Sequence, residues 1–388
     1  MRRSPQAHCI ISWLWVDSPV MSNWSCIVVT TAFVATSPCV ASPTTRADFQ
    51  SAWDDAATMT LPAGSHAEWS YTVYPKHTAR EAESLLATIA EGDPGRSSLQ
   101  QAIWLNGRPL QSDYQLWYVS DSRFRINEDT PLATWSPTTD ATVNGPDGWI
   151  CGANGVLTAV DLKDAPPNRD PRAFLSTIES FVDTFVNAGL ATGHIASRPL
   201  VIKEFDTDTG GWVGEISDTS GSFAYRVTGE FHPEHDQFTV TELRITNNPM
   251  ESEVGSHTRF EEYIFQPTIQ RRIPQRVVSI DPDGFIKSEL RFKSLKSFPK
   301  EDFDRIARLP DVNAGDPVRA ELKLRRIDDF RTPSAVTTEI HPETGESRVG
   351  PLADPRPGNR NLSWKPVGWI TAGLLVVFIV VHNVRRSS

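Results

Sequence analysis

The densest set of potential metal ligands is His232-Pro233-Glu234-His235-Asp236. Two imidazoles three residues apart, with carboxylates beside them, are the donors a divalent cation takes. The spacing is not that of a helical HExxH site, Pro233 interrupts any helix, and strand-like runs flank the cluster. A solvated hairpin turn is therefore the stronger reading, with His232 and His235 kept as the only metal candidates. Asp206-Thr207-Asp208-Thr209-Gly210-Gly211 opens like a calcium loop, but Ser217 stands where a bidentate Glu is needed, so a plain turn is expected. No P-loop, GxGxxG, nucleophile elbow or CxxC occurs. The pairs Glu261-Glu262 and Asp328-Asp329 would point to opposite faces of a strand, which does not suit acid–base work. No catalytic residue and no cofactor is assigned.

Aromatic side chains are the remaining resource. Trp53, Trp69, Trp104, Trp117, Trp135, Trp149 and Trp212 can serve as core and cross-strand packing. The functional alternative is an apolar cavity between a curved sheet and its helices, lined by Trp117, Trp149, Phe174, Phe181 and Phe185.

The elements that would position these residues are legible in part. A short helix is expected over 44–57, with Thr45 capping and Phe49, Ala52, Trp53 and Ala56 on one face. Thr78 and Glu81 form a capping-box pair for a helix over 78–91. Asp170 to Ala188 reads as one long helix: Asp170 caps it, Pro171 suits the first turn and Gly189 supplies the left-handed stop. Phe174, Leu175, Ile178, Phe181, Val182, Phe185 and Val186 give it a broad apolar face. Alternating runs predict strands from Ser112 through Leu295, with turns at Asn154-Gly155 and Asp281-Pro282-Asp283-Gly284. In the latter hairpin Val278, Ile280, Ile286, Leu290 and Phe292 are expected to share a face. Strands in succession with helices in separate blocks give an α+β class with an antiparallel sheet.

The chain of 388 residues is 39% hydrophobic and 22% charged, within the globular range. Its formal charge is −10, and both ends are net positive, so the body is more acidic still. Such a surface repels phosphate backbones, and no nucleic acid is expected as a partner. Residues 1–41 resemble a signal peptide, with an apolar run at Ile27–Ala35 and Cys39-Val40-Ala41 as a small-x-small site. Only Cys151 would remain after its removal. Residues 42–330 then form the extracytoplasmic domain, and 331–366, with six prolines, an extended linker. Residues 367–384 carry no Asp, Glu, Lys or Arg and can span roughly 27 Å as a helix, close to a bilayer's hydrocarbon core. Trp369, Leu374, Phe378, Arg385 and Arg386 are the anchor residues, with the Arg pair in a short cytoplasmic tail over 385–388. The lipid bilayer is thus an expected partner, and the location is periplasmic or cell-surface. A cleaved sorting tail is the alternative for this end.

Arg123-Phe124-Arg125-Ile126-Asn127, followed by Asp147-Gly148-Trp149-Ile150 and a hairpin, resembles the outer-membrane lipoprotein carrier superfamily, the LolA/LolB-like fold. Gln275 to Ile286 is similar to that family's later hairpin. Together the resemblance covers about residues 110–295. It implies a curved, half-open antiparallel sheet or barrel whose mouth is covered by helices such as 170–188. It also implies binding of a lipid, acyl chain or lipoprotein without catalysis. The soluble carriers have no C-terminal span, and the segments between Tyr74 and Ser112 and around 198–213 enlarge the pattern. A scaffolding envelope ectodomain with a solid core and no ligand is the alternative function.

Overall fold

The computed structural model describes residues 45–54, 59–91, 95–130, 140–190, 200–218, 221–249, 251–311, 316–331, 334–341 and 344–352. The leader, Trp135, half of the expected linker and the anchor segment with Trp369, Leu374, Phe378, Arg385 and Arg386 lie outside them. Among the described residues no helix is long and apolar enough to cross a membrane.

The chain opens with α1 (Arg46–Asp54), whose first turn is closed by Thr45: its hydroxyl accepts from the Asp48 amide while Asp48 reaches back to the Thr45 amide. Then follow β1 (Ser65–Val73), α2 (Ala79–Leu86), α3 (Arg96–Trp104), β2 (Leu110–Ser120), β3 (Arg123–Asp129), β4 (Asp140–Asn144), β5 (Asp147–Cys151) and β6 (Val156–Asp161). The capping box of Thr78 and Glu81 is present at α2. Next come a helical segment whose central part is α4 (Leu175–Phe181), then β7 (Val201–Phe205), β8 (Gly211–Ser217), β9 (Ala224–His232), β10 (Gln237–Asn247), β11 (His257–Gln266), β12 (Arg271–Ile280) and β13 (Ile286–Ser297). The chain continues through α5 (Phe303–Ala307), α6 (Pro317–Glu321), β14 (Arg326–Asp329), β15 (Val336–Ile340) and β16 (Ser347–Pro351).

These strands make one open sheet in the order β16-β15-β14-β6-β5-β4-β3-β2-β1-β13-β12-β11-β10-β9-β8-β7. Every pairing is antiparallel except β14 with β6. The fold is α+β with a large, curved, mostly antiparallel sheet. Period-two alternation sends Tyr114, Leu116 and Tyr118 of β2 into the main core, while Gln115 and Trp117 face the other way. The main core lies between one sheet face and the helical elements α1 and α4. A smaller cluster on the opposite face joins Trp149, Cys151, Leu157 and Ala159 to Leu324, Ile327 and Ile340. Hairpin α2–α3 carries its own small core of Ala82, Leu99 and Ala102.

Three expectations are corrected. Residues 170–188 do not form a uniform α-helix: Pro171–Phe174 is a tight 3-10 turn, α4 follows, and Val182–Val186 is a wider π turn closed by the Asn187 amide on the Val182 carbonyl, 2.9 Å. Asp170 does cap it, accepting from the Arg172 amide. In the β12–β13 hairpin it is Val277, paired with Leu290, that joins the main core with Phe292; Val278 pairs with Glu289 on the other face. Finally, β15 and β16 extend the sheet to Pro351, into the stretch expected to be extended linker.

Candidate functional site

Aromatic rings fill the layer between the helical segment and the sheet. Trp69 of β1 pairs in register with Tyr114 of β2, and the two rings stack at 5.1 Å. Phe181 lies 4.6 Å from Trp69, Phe185 lies 5.3 Å from Phe181, and Phe292 of β13 lies 5.8 Å from Phe185. All five are buried. The helix does not seal completely onto this floor. Thr177, Ser180 and Thr184 face it beside Phe181 and Phe185, leaving a crevice of about 10 Å³ over Trp69, Tyr71, Tyr114 and Leu290. That is space for a single water. Burial pushes the Tyr71 and Tyr114 hydroxyls above their ordinary range, so both rings stay neutral. In the following π turn Asp183 is half-buried, and that burial together with the neighbouring Glu179 pushes its carboxyl up to about 6.

A second nest sits under α1. Phe49, fully buried, stacks on Phe205 at 4.0 Å and meets Phe238 edge-on at 4.9 Å; Trp53 packs against Trp212 at 5.0 Å. The Gln50 amide fixes α1 to edge strand β7, donating to the Leu200 carbonyl at 3.0 Å and accepting from the Ile202 amide at 2.8 Å. A side chain thereby takes the place of the next strand.

The five residues expected to line one cavity fall on two faces. Phe181 and Phe185 belong to the aromatic layer, and Phe174 packs at its margin, half-buried. Trp117 and Trp149 lie on the opposite face, in a cross-strand row that runs His66, Trp117, Arg125, Thr142, Trp149. Arg125 sits between the two indoles, 5.3 Å from the Trp117 ring and 5.6 Å from that of Trp149. Its Nη2 donates to Asp140 at 2.6 Å and to Glu321 at 2.7 Å, and its Nη1 to the Ile306 carbonyl at 3.3 Å. Complete removal from water pushes the Asp140 carboxyl up to about 6, against the pull of Arg125. Trp149 Nε1 donates to the Ala307 carbonyl, 3.2 Å. These residues bind the segment from α5 to α6 onto the sheet. The burial of Cys151 pushes its thiol up to about 12, which leaves it protonated.

The histidines occupy the β9–β10 turn. His232 Nε2 is 3.0 Å from the Thr239 hydroxyl, whereas His235 stacks on Phe265 at 4.6 Å. Among the described residues no group of three or more His, Cys, Asp or Glu is placed to hold a metal. Asp206 closes a turn, accepting from the amides of Asp208 and Thr209. Glu261 and Glu289 both bind Arg276, at 2.8 and 2.9 Å, in an ion-pair ladder across β11, β12 and β13.

Trp69, Tyr114 and Phe292 complete the aromatic layer. The alternation that places Tyr114 and Phe292 on their strands was visible in the sequence, but the pairing of all three depends on β1 lying between β2 and β13.

No family model matches the chain, and no curated protein matches its sequence. The resemblance to lipoprotein carriers does have weak counterparts among solved structures. A Vibrio parahaemolyticus domain named for outer membrane lipoprotein sorting aligns at 10% identity over 67% of this chain and 95% of its own, TM-score 0.32. A DUF1329 family protein from Desulfovibrio piger aligns at 10% identity over 68% and 98%, TM-score 0.32. MucB aligns at 13% identity over 76% and 74%, TM-score 0.24. At these scores the likeness carries no argument about ligand or activity.

Proposed function

We propose that this protein is a non-catalytic binding domain that holds a lipid or acyl chain between the Pro171–Val186 segment and the sheet. The observation that supports this is the aromatic layer of Trp69, Tyr114, Phe181, Phe185 and Phe292, closed by a helix that turns Thr177, Ser180 and Thr184 toward it. A helix built only to seal a core would present large apolar groups at those positions. Hydroxyls there make contact with the sheet looser, and a CH₂ chain replacing it would gain about 0.8 kcal/mol per buried methylene. The crevice as it stands is far smaller than an acyl chain, so binding requires the layer to widen. We place this domain outside the cytoplasm, tethered by residues 367–384 with the C-terminus inside. Native mass spectrometry of residues 42–365 purified from lipid-containing cells tests the reading. Bound lipid is the expected result; a clean apo mass after gentle extraction favours the scaffolding alternative.

A further inference from the structure

The sheet is not zipped evenly. Strand β10 pairs with β9 from Gln237 to Asn247, and β11 pairs with β12 from His257 to Gln266. Between β10 and β11, however, only Glu242–Arg244 and His257–Arg259 are in register. Beyond Glu242 the two strands part, and the chain leaving the helical segment occupies the gap. The Val240 amide, facing away from β9's ladder, donates to the Ala188 carbonyl at 3.4 Å. Gly189 follows directly, so close to β11 that a Cβ there would lie 2.7 Å from the Phe260 ring. Ala188 and Gly189 both have positive φ, 50° and 80°, and Glu262 interrupts β11 with a φ of 59°. A positive φ at alanine and at glutamate costs backbone energy. The chain is bent on both sides of the gap.

Side chains, not a backbone ladder, hold the gap closed. The Tyr263 hydroxyl of β11 donates to the Val240 carbonyl of β10 at 2.6 Å, and the Ala188 carbonyl is 3.4 Å away. The Gln237 amide reaches past β11 to β12, donating to the Arg272 carbonyl and accepting from the Arg272 amide, both at 2.7 Å. At the rim, His235 stacks on Phe265, which is 40% exposed. Phe185, three residues before Ala188, stands in the aromatic layer between Phe181 and Phe292. The seam therefore runs from the exposed rim at Phe265 to within one helical turn of that layer. Each neutral hydrogen bond contributes about 1 kcal/mol net, so removing a latch measurably lowers the cost of local opening.

We propose that the β10–β11 seam is where this sheet opens, and that it is the route by which an apolar chain enters the aromatic layer. The route rests on the lipid-binding reading above; the opening does not. Two readouts on the same protein keep them apart: hydrogen exchange resolved by residue, and the uptake rate of a fluorescent palmitic acid. Tyr263→Phe and Gln237→Leu each remove one latch, and either suffices if the other fails to fold. In the parent protein the amides of Val240, Tyr263 and Phe265, which alternate with those laddered to β12, should exchange about tenfold faster than those of β9 and β12. Tyr263→Phe should accelerate them about fivefold, as loss of one hydrogen bond implies, and Gln237→Leu, which loses two, by more than that, while β1 to β3 are unchanged. Uptake should quicken several-fold. Seam amides that exchange at the rate of β9 and β12 in all three proteins overturn the opening. Faster seam exchange with unchanged uptake overturns the route. Faster seam exchange with no palmitate bound by any form leaves the opening standing and contradicts the lipid-binding reading.

Discussion

The Phe181 ring lies 4.6 Å from the Trp69 indole, and this contact keys the helical segment to the centre of the sheet. Trp69 is also stacked on Tyr114 and lies opposite Phe292, so the ring from the helix rests on the strand that β2 and β13 flank. Phe181→Ala would leave a void bounded by Trp69 and Phe185. A loss of about 3 kcal/mol is expected, within the range for a large aromatic removed from a core. Urea denaturation measures it. Phe174→Ala, at the half-buried margin, should cost less than half as much.

Arg125 and Asp140 form the buried charge pair of the opposite face, with Arg125 3% exposed and Asp140 fully buried. Removing Arg125 strands the Asp140 carboxylate away from water, whereas removing Asp140 leaves Arg125 paired with Glu321. Arg125→Ala should destabilise by about 3–5 kcal/mol, and Asp140→Ala by less. Replacing both by apolar residues of similar volume should recover most of that loss. Recovery in the double variant, read from denaturation midpoints, distinguishes a stranded charge from simple loss of packing.

Asp183 makes stability depend on pH. Its folded carboxyl is raised to about 6 by burial and by Glu179, so the folded chain holds this proton more tightly than the unfolded chain does. The contribution is fully present below the unfolded carboxylate range near 4 and is lost as pH rises through about 6. Asp183→Asn should therefore stabilise the protein at pH 7.5 and not at pH 4. Allowing for solvent screening, about 1 kcal/mol is expected. Unfolding free energies at the two pH values check it, and equal effects at both would contradict the assignment.

Gly229 lets the Trp212 indole lie on the β9 backbone. A Cβ there would be 2.0 Å from the Thr239 carbonyl oxygen and 2.4 Å from the indole. Gly229→Ala should destabilise by about 2–3 kcal/mol through overpacking. Near-ultraviolet circular dichroism should report displacement of Trp212.

What could be read from the sequence was local. The cap at Thr45, the capping pair Thr78/Glu81 and the glycine turns at Gly155 and Gly284 depend on neighbours a few residues away. Strand β4 had no such mark, and β15 and β16 were hidden behind prolines that the sheet edge tolerates. The allocation of aromatic residues to faces was less accessible. Trp117 and Trp149 looked equivalent to Phe181, because both faces of β2 to β6 are covered in part and alternation alone does not say by what. The π turn at Val182–Val186 has no sequence mark, because it depends on where the Ala188 and Asn187 groups find partners: Val240, and the backbone of Met59.

Lipid contact within the aromatic layer is tested most directly by photolabelling with a palmitic acid that carries a diazirine along its chain. After irradiation of the loaded protein and peptide mapping, label is predicted on Trp69–Tyr71, on Thr177–Phe185 and on Leu290–Phe292. Label confined to the Trp117–Trp149 face, or spread evenly over the surface, would contradict the account.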